Sequence, residues 1–90
     1  SDLLAGQSWL VTGGGSGIGK AIAFLAARLG ADVTICGRTE DKLAATRAAI
    51  EAATGREIAI RAMSIREPEA VEALLDETFE RCGRIDMLVN

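Results

Sequence analysis

Residues 12–19, Thr12-Gly13-Gly14-Gly15-Ser16-Gly17-Ile18-Gly19, hold half of the ten glycines in this 90-residue chain. Glycine permits a tight turn and lets a ligand approach the backbone without interference from a Cβ atom. A helix that starts just after such a turn offers unpaired N–H groups and a partial positive charge. Together these features suit the capture of an anion, above all a phosphate. The plainer alternative is a connecting turn that happens to be rich in glycine. What lies on either side decides between the two.

Trp9 to Thr12 is a short apolar run that stops at the glycines and reads as a buried strand. After Gly17, apolar residues fall at Ile18, Ala21, Ile22, Leu25, Ala26 and Leu29, the spacing of one helix face. That series predicts a helix buried along this face and ended by Gly30. Val33 to Cys36 is a second strand, rich in β-branched residues. Thr39 is placed to cap the next helix, with Glu40 and Asp41 in its positive first turn. That helix stops near Gly55. Ile58 to Met63 reads as a third strand, and Pro68 suits the first turn of a third helix. Val71, Leu74, Leu75, Thr78, Phe79 and Cys82 give the third helix one continuous face, and Gly83 ends it. Met87 to Val89 opens a fourth strand.

The order β-α-β-α-β-α-β implies a parallel sheet with helices on both faces. Parallel sheets normally have both faces covered. Four strands with only three helices therefore look like an incomplete sheet. The glycine turn thus sits after the first strand of a β-α-β unit, where dinucleotides bind.

A competing phosphate loop starts at Gly14. The spacing Gly14 to Gly19 and Lys20 nearly matches the P-loop of nucleotide hydrolases. The match fails at Ala21, where a Ser or Thr hydroxyl is needed for magnesium. Ala21 is also expected on the buried helix face, between Ile18 and Ile22. The usual Gly-x-Gly-x-x-Gly pattern fits in no register.

What fits is Thr-Gly-x-x-x-Gly-Ile-Gly, carried by Thr12, Gly13, Gly17, Ile18 and Gly19. This resembles the cofactor motif of the classical short-chain dehydrogenase/reductase family. Leu88-Val89-Asn90 is similar to the start of that family's Leu-Val-Asn-Asn-Ala-Gly strand. Met63-Ser64-Ile65-Arg66 stands where the family has an Asp-Val or Asp-Ile pair. The resemblance runs along the whole chain. It implies a Rossmann-type doubly wound sheet with strand order 3-2-1-4, of which residues 1–90 would be the dinucleotide-binding portion of a single-domain enzyme.

The candidate cofactor contacts are Gly13, Ser16, Gly17, Ile18, Gly19, Arg38, Thr39, Ser64, Ile65 and Asn90. An Asp or Glu roughly 20 residues after the glycine motif usually holds a free ribose 2′-hydroxyl. Here that place is taken by Gly37, followed by Arg38. Without a carboxylate nothing repels a 2′-phosphate, and a guanidinium can form charge-assisted, bidentate bonds to it. Such bonds are worth roughly 1.5–3 kcal/mol, enough to favour NADP(H) over NAD(H) about ten- to a hundredfold. A solvated surface arginine is the plainer role for Arg38, as a helix cap is for Thr39. By resemblance, Ser64 replaces an aspartate that accepts a bond from the adenine amino group, so a shorter and neutral acceptor should weaken that contact. The backbone at Ile65 can contribute whatever its side chain. Asn90 resembles an asparagine whose backbone lies along the adenine ribose.

The resemblance also implies a catalytic Ser, Asn and Tyr-x-x-x-Lys set. The chain has no tyrosine, and Lys20 and Lys42 match neither element, so no catalytic residue is assigned. The complete protein would reduce a carbonyl or an enoyl thioester, or run the reverse reaction, on a small-molecule substrate; homo-oligomers are common in the family. Two other functional classes compete. One is a non-catalytic nucleotide-binding module, and the other is a nucleotide hydrolase with a degenerate P-loop.

Composition narrows the field further. Ten basic and 13 acidic residues, scattered without runs, give a net charge of −3 and argue against a nucleic-acid surface. No apolar stretch approaches the roughly 20 residues of a membrane helix. Cys36 and Cys82 are distant in sequence and there is no histidine, so neither a disulfide nor a zinc site is expected. Unpaired thiols without an export signal suggest a reducing, cytoplasmic setting.

Overall fold

Side-chain alternation along the strands builds the molecule from its centre outwards. The computed structural model describes residues 2–15 and 17–90. Its strands are β1 (Ser8–Thr12), β2 (Asp32–Gly37), β3 (Ala59–Ala62) and β4 (Met87–Val89). Its helices are α1 (Gly17–Arg28), α2 (Glu40–Thr54) and α3 (Pro68–Cys82). All strand pairs are parallel, and the order across the sheet is β3-β2-β1-β4. This is the expected Rossmann-type arrangement, present as a partial sheet.

Pairing places Val11 beside Ile35 and Val89, and Ile35 beside Ile60. These residues share one face with Val33 and Ile58, against α1 and α2. From α2, Leu43 and Ile50 bury completely against it. On the other face Leu10 and Cys36 meet Leu74 of α3.

The helix ends follow local rules. Gly55 and Gly83 take left-handed backbone angles (φ 72° and 75°) and donate their N–H groups back to Glu51 and Phe79. Pro68 opens α3 as expected. Thr39 occupies the N-cap position of α2 in extended conformation, but its side chain makes no capping bond. The expected hydroxyl cap is therefore absent, which leaves that group available on the surface.

Helix α1 corrects the predicted buried face. Ile18 is 80% exposed and Leu25 55%, and Ala21 is also exposed. The buried residues are Ala23, Ala26 and Ala27, flanked by half-buried Ile22 and Phe24. Eight of the twelve residues, from Ile18 to Ala27, are apolar, so spacing alone does not single out one face. Alanines let the helix axis approach the sheet closely, and dense packing in that direction decides the rotation. On α3 the predicted face is only partly buried: Leu74 and Thr78 are enclosed, whereas Phe79 is 58% exposed.

Candidate functional site

The glycine turn is built by close contacts that leave no space for side chains on one side and open space on the other. The Gly13 N–H donates to the Cys36 carbonyl at 2.8 Å, tying the turn to the end of β2. A Cβ atom at Gly14 would come within 2.5 Å of the Ile35 side chain, and one at Gly19 within 2.5 Å of the Gly13 carbonyl oxygen. Gly19 thus lets the first turn of α1 lie directly on the loop before it. The buried Thr46 hydroxyl of α2 bonds to the Gly15 carbonyl at 3.4 Å and steadies the loop from the other side. Gly13 and Gly17 have positive φ angles (69° and 62°), and a Cβ at either would meet nothing within 4 Å. The loop therefore presents an open backbone cradle just before a helix N-terminus, which suits a phosphate. Ser16 lies outside the described residues.

Beside the cradle, a cavity of about 420 Å³ opens past the C-terminal ends of the strands. Of the predicted site residues, Gly13, Arg38, Ser64, Ile65 and Asn90 all line it. They come from four separate segments, brought together because β2, β1 and β4 are neighbours and β3 follows β2. This is the crevice where open α/β sheets bind ligands. Thr39 lines an adjoining hollow of about 300 Å³, which also touches Gly13, Gly37 and Arg38. Gly17 borders a different depression, along α1, while Ile18 projects into solvent from the first helical turn.

Polar side chains at the strand ends are held in place. The Thr12 hydroxyl lies 3.0 Å from both the Val89 carbonyl and the Asn90 Oδ1, so β1 fixes the end of β4. Ser64 Oγ accepts the Arg66 N–H at 3.2 Å, and the Met63 N–H donates to the Gly37 carbonyl at 2.7 Å.

The cavity is electropositive. Arg38 and Arg66 both line it, and no lining residue is a carboxylate. Among the described residues, Arg61, Arg81 and Arg84 are paired with Glu77, Asp32 and Asp86, whereas Arg38 and Arg66 have no such partner. Arg66 was not singled out from the sequence. Its place at the site follows from the turn after β3, where Ser64 holds its N–H. Cys36 is buried beneath the site, and burial pushes its thiol above the ordinary range, so it stays protonated and unreactive.

The fold has counterparts among known proteins. The description "short chain dehydrogenase" matches residues 7–90. The chain belongs to the short-chain dehydrogenase family. Over 89 residues the chain is 42% identical to peroxisomal 2,4-dienoyl-CoA reductase of Danio rerio, an alignment that covers 99% of this chain and 30% of that protein. Among solved structures, the citronellol catabolism dehydrogenase AtuB of Pseudomonas aeruginosa PAO1 is similar at TM-score 0.91 and 43% identity, over 99% of this chain and 37% of that one. L-Sorbose reductase of Gluconobacter frateurii, solved in complex with NADPH and L-sorbose, is similar at TM-score 0.88 and 31% identity, over 100% of this chain and 35% of that one. The chain thus spans about a third of the length of the relatives it matches. No helix among the described residues is long and apolar enough to cross a membrane.

Proposed function

We propose that residues 1–90 are the NADP(H)-binding portion of an oxidoreductase that transfers hydride between NADP(H) and a carbonyl, alcohol or enoyl-thioester substrate. The observation that carries this reading is the charge at the end of β2. Gly37 stands where a carboxylate would hold a free ribose hydroxyl, and Arg38 beside it faces a cavity without acidic side chains. When bound, the nicotinamide cofactor would supply or accept the hydride. The chain's own residues position it: the cradle at Gly13, Gly17 and Gly19 holds the pyrophosphate, and Arg38 and Thr39 hold the ribose 2′-phosphate. Ser64, Ile65 and Asn90 line the adenosine end, with Ser64 as a neutral acceptor. With no tyrosine present, proton transfer to substrate is assigned to residues outside these 90. Two substrate classes are the first to test, thioesters and carbonyl or alcohol compounds, because the relatives are named for dienoyl-CoA, for citronellol catabolism and for L-sorbose. The two unpaired thiols support a cytoplasmic location for the protein, which fractionation of source cells tests.

The cofactor assignment is tested by titrating NADPH and NADH into the full-length protein and its Arg38→Ala variant. The expected result is a preference for NADPH of about tenfold or more that largely disappears in the variant. A wild type without that preference, or a variant that keeps it in full, would refute the assignment.

A further inference from the structure

The hollow beside Arg38 contains a second cation. Lys42, in the first turn of α2, lines it together with Arg38, Thr39, Gly13 and Gly15. A Cβ built on Gly15 would come within 3.3 Å of the Lys42 Cβ, so the root of this side chain lies directly over the glycine turn. Glu40 and Asp41 precede it on the same helical turn, but neither lines the hollow. Lys42 forms no ion pair among the described residues.

Position makes this lysine unusual in electrostatic terms. The first turn of a helix carries partial positive charge, which favours acidic side chains and disfavours a lysine. Glu40 and Asp41 obey that preference; Lys42 does not. A local choice that opposes intrinsic preference is expected where function requires it. A dianionic phosphate in the hollow would satisfy the helix end, Arg38 and Lys42 together.

We infer that Lys42 is a specificity-determining residue, a second cationic contact to the ribose 2′-phosphate opposite Arg38. The inference rests on the NADP(H) reading above. Arg38 follows the end of β2 and carries a planar fork, whereas Lys42 stands in the first turn of α2, over the glycine turn, as a mobile point charge. Thr39, whose hydroxyl makes no capping bond, lies between them in sequence.

The experiment compares equilibrium binding of NADPH and NADH to full-length wild type, Arg38→Ala, Lys42→Ala and Lys42→Arg, at low and high salt. Lys42→Ala should weaken NADPH about three- to fivefold and leave NADH unchanged, as befits an exposed ion pair. Lys42→Arg should restore most of the loss, and the difference between wild type and Lys42→Ala should shrink at high salt. Equal changes for both cofactors, or none for either, would overturn the role of Lys42. If wild type prefers NADPH and only Arg38→Ala abolishes this, Lys42 alone is excluded. If wild type shows no preference, the NADP(H) reading and this inference fall together.

Discussion

The two faces of the sheet are finished to different degrees. Against α1 and α2, the strands contribute Val11, Val33 and Ile35, joined by Ile58 just before β3, all buried, and the helices answer with Ala23, Ala26, Ala27, Leu43 and Ile50. Against α3 the enclosed apolar set is Leu10, Cys36 and Leu74, while Leu88, in register with Leu10, is 57% exposed. The closed face carries the loop that shapes the site, since Gly14 rests on Ile35 and Gly15 on Thr46 and Leu43. The open face carries the β3–α3 connection with Ser64, Ile65 and Arg66. The more deeply buried face therefore underlies the phosphate cradle, and the more exposed one the adenosine end. The difference suits their chemistry: backbone N–H groups must be held in position to bind a phosphate, whereas side chains at a cavity wall can adjust.

Truncation separates the faces most sharply. Ile35→Ala should cost about 2–5 kcal/mol, because it empties a fully enclosed site that neighbouring residues refill only partly. It should also loosen Gly14 and weaken cofactor binding. Leu74→Ala should cost less, about 2 kcal/mol, because its buried cluster is smaller, with half-buried Met63 and Leu75 at its border able to relax. Chemical denaturation of the full-length protein measures both, and equal losses would erase the contrast between faces.

The smallest effect is expected at the far end of the sheet, away from the site. Asp86 accepts from Arg84 and from the Ser8 N–H at 2.7 Å, joining the start of β4 to β1. The Arg84 side-chain bond, then the Ser8 amide, hold its carboxyl below the ordinary carboxylate range. A carboxyl depressed in the folded state adds stability above its unfolded value and loses it as pH falls through the folded one. Asp86→Asn should lower the melting temperature slightly at neutral pH, and the gap from wild type should close on acidification. A gap that persists in acid would show that Asp86 acts by shape and not by charge.

Much of the site could be read along the chain because its parts are local. The spacing of Thr12, Gly13, Gly17 and Gly19 dictates a turn between a strand and a helix, whatever the rest does. Arg38 follows from counting to the end of β2. Arg66 and Lys42 could not be read in the same way. One depends on how Ser64 folds the turn after β3, and the other on which side of α2 meets the glycine loop.

Sequence alone determined the element order, the parallel sheet, the glycine cradle and the absence of a carboxylate at the end of β2, where Gly37 stands, since each rests on residue type and short-range spacing. Only the tertiary structure decided the rotation of α1, where apolar residues are spread around the helix and close approach of Ala23, Ala26 and Ala27 to the sheet selects the buried side. Only it, too, could place Arg38, Ser64, Arg66 and Asn90 around one cavity. Contacts between residues tens of positions apart arise from strand order and packing, which no local pattern specifies.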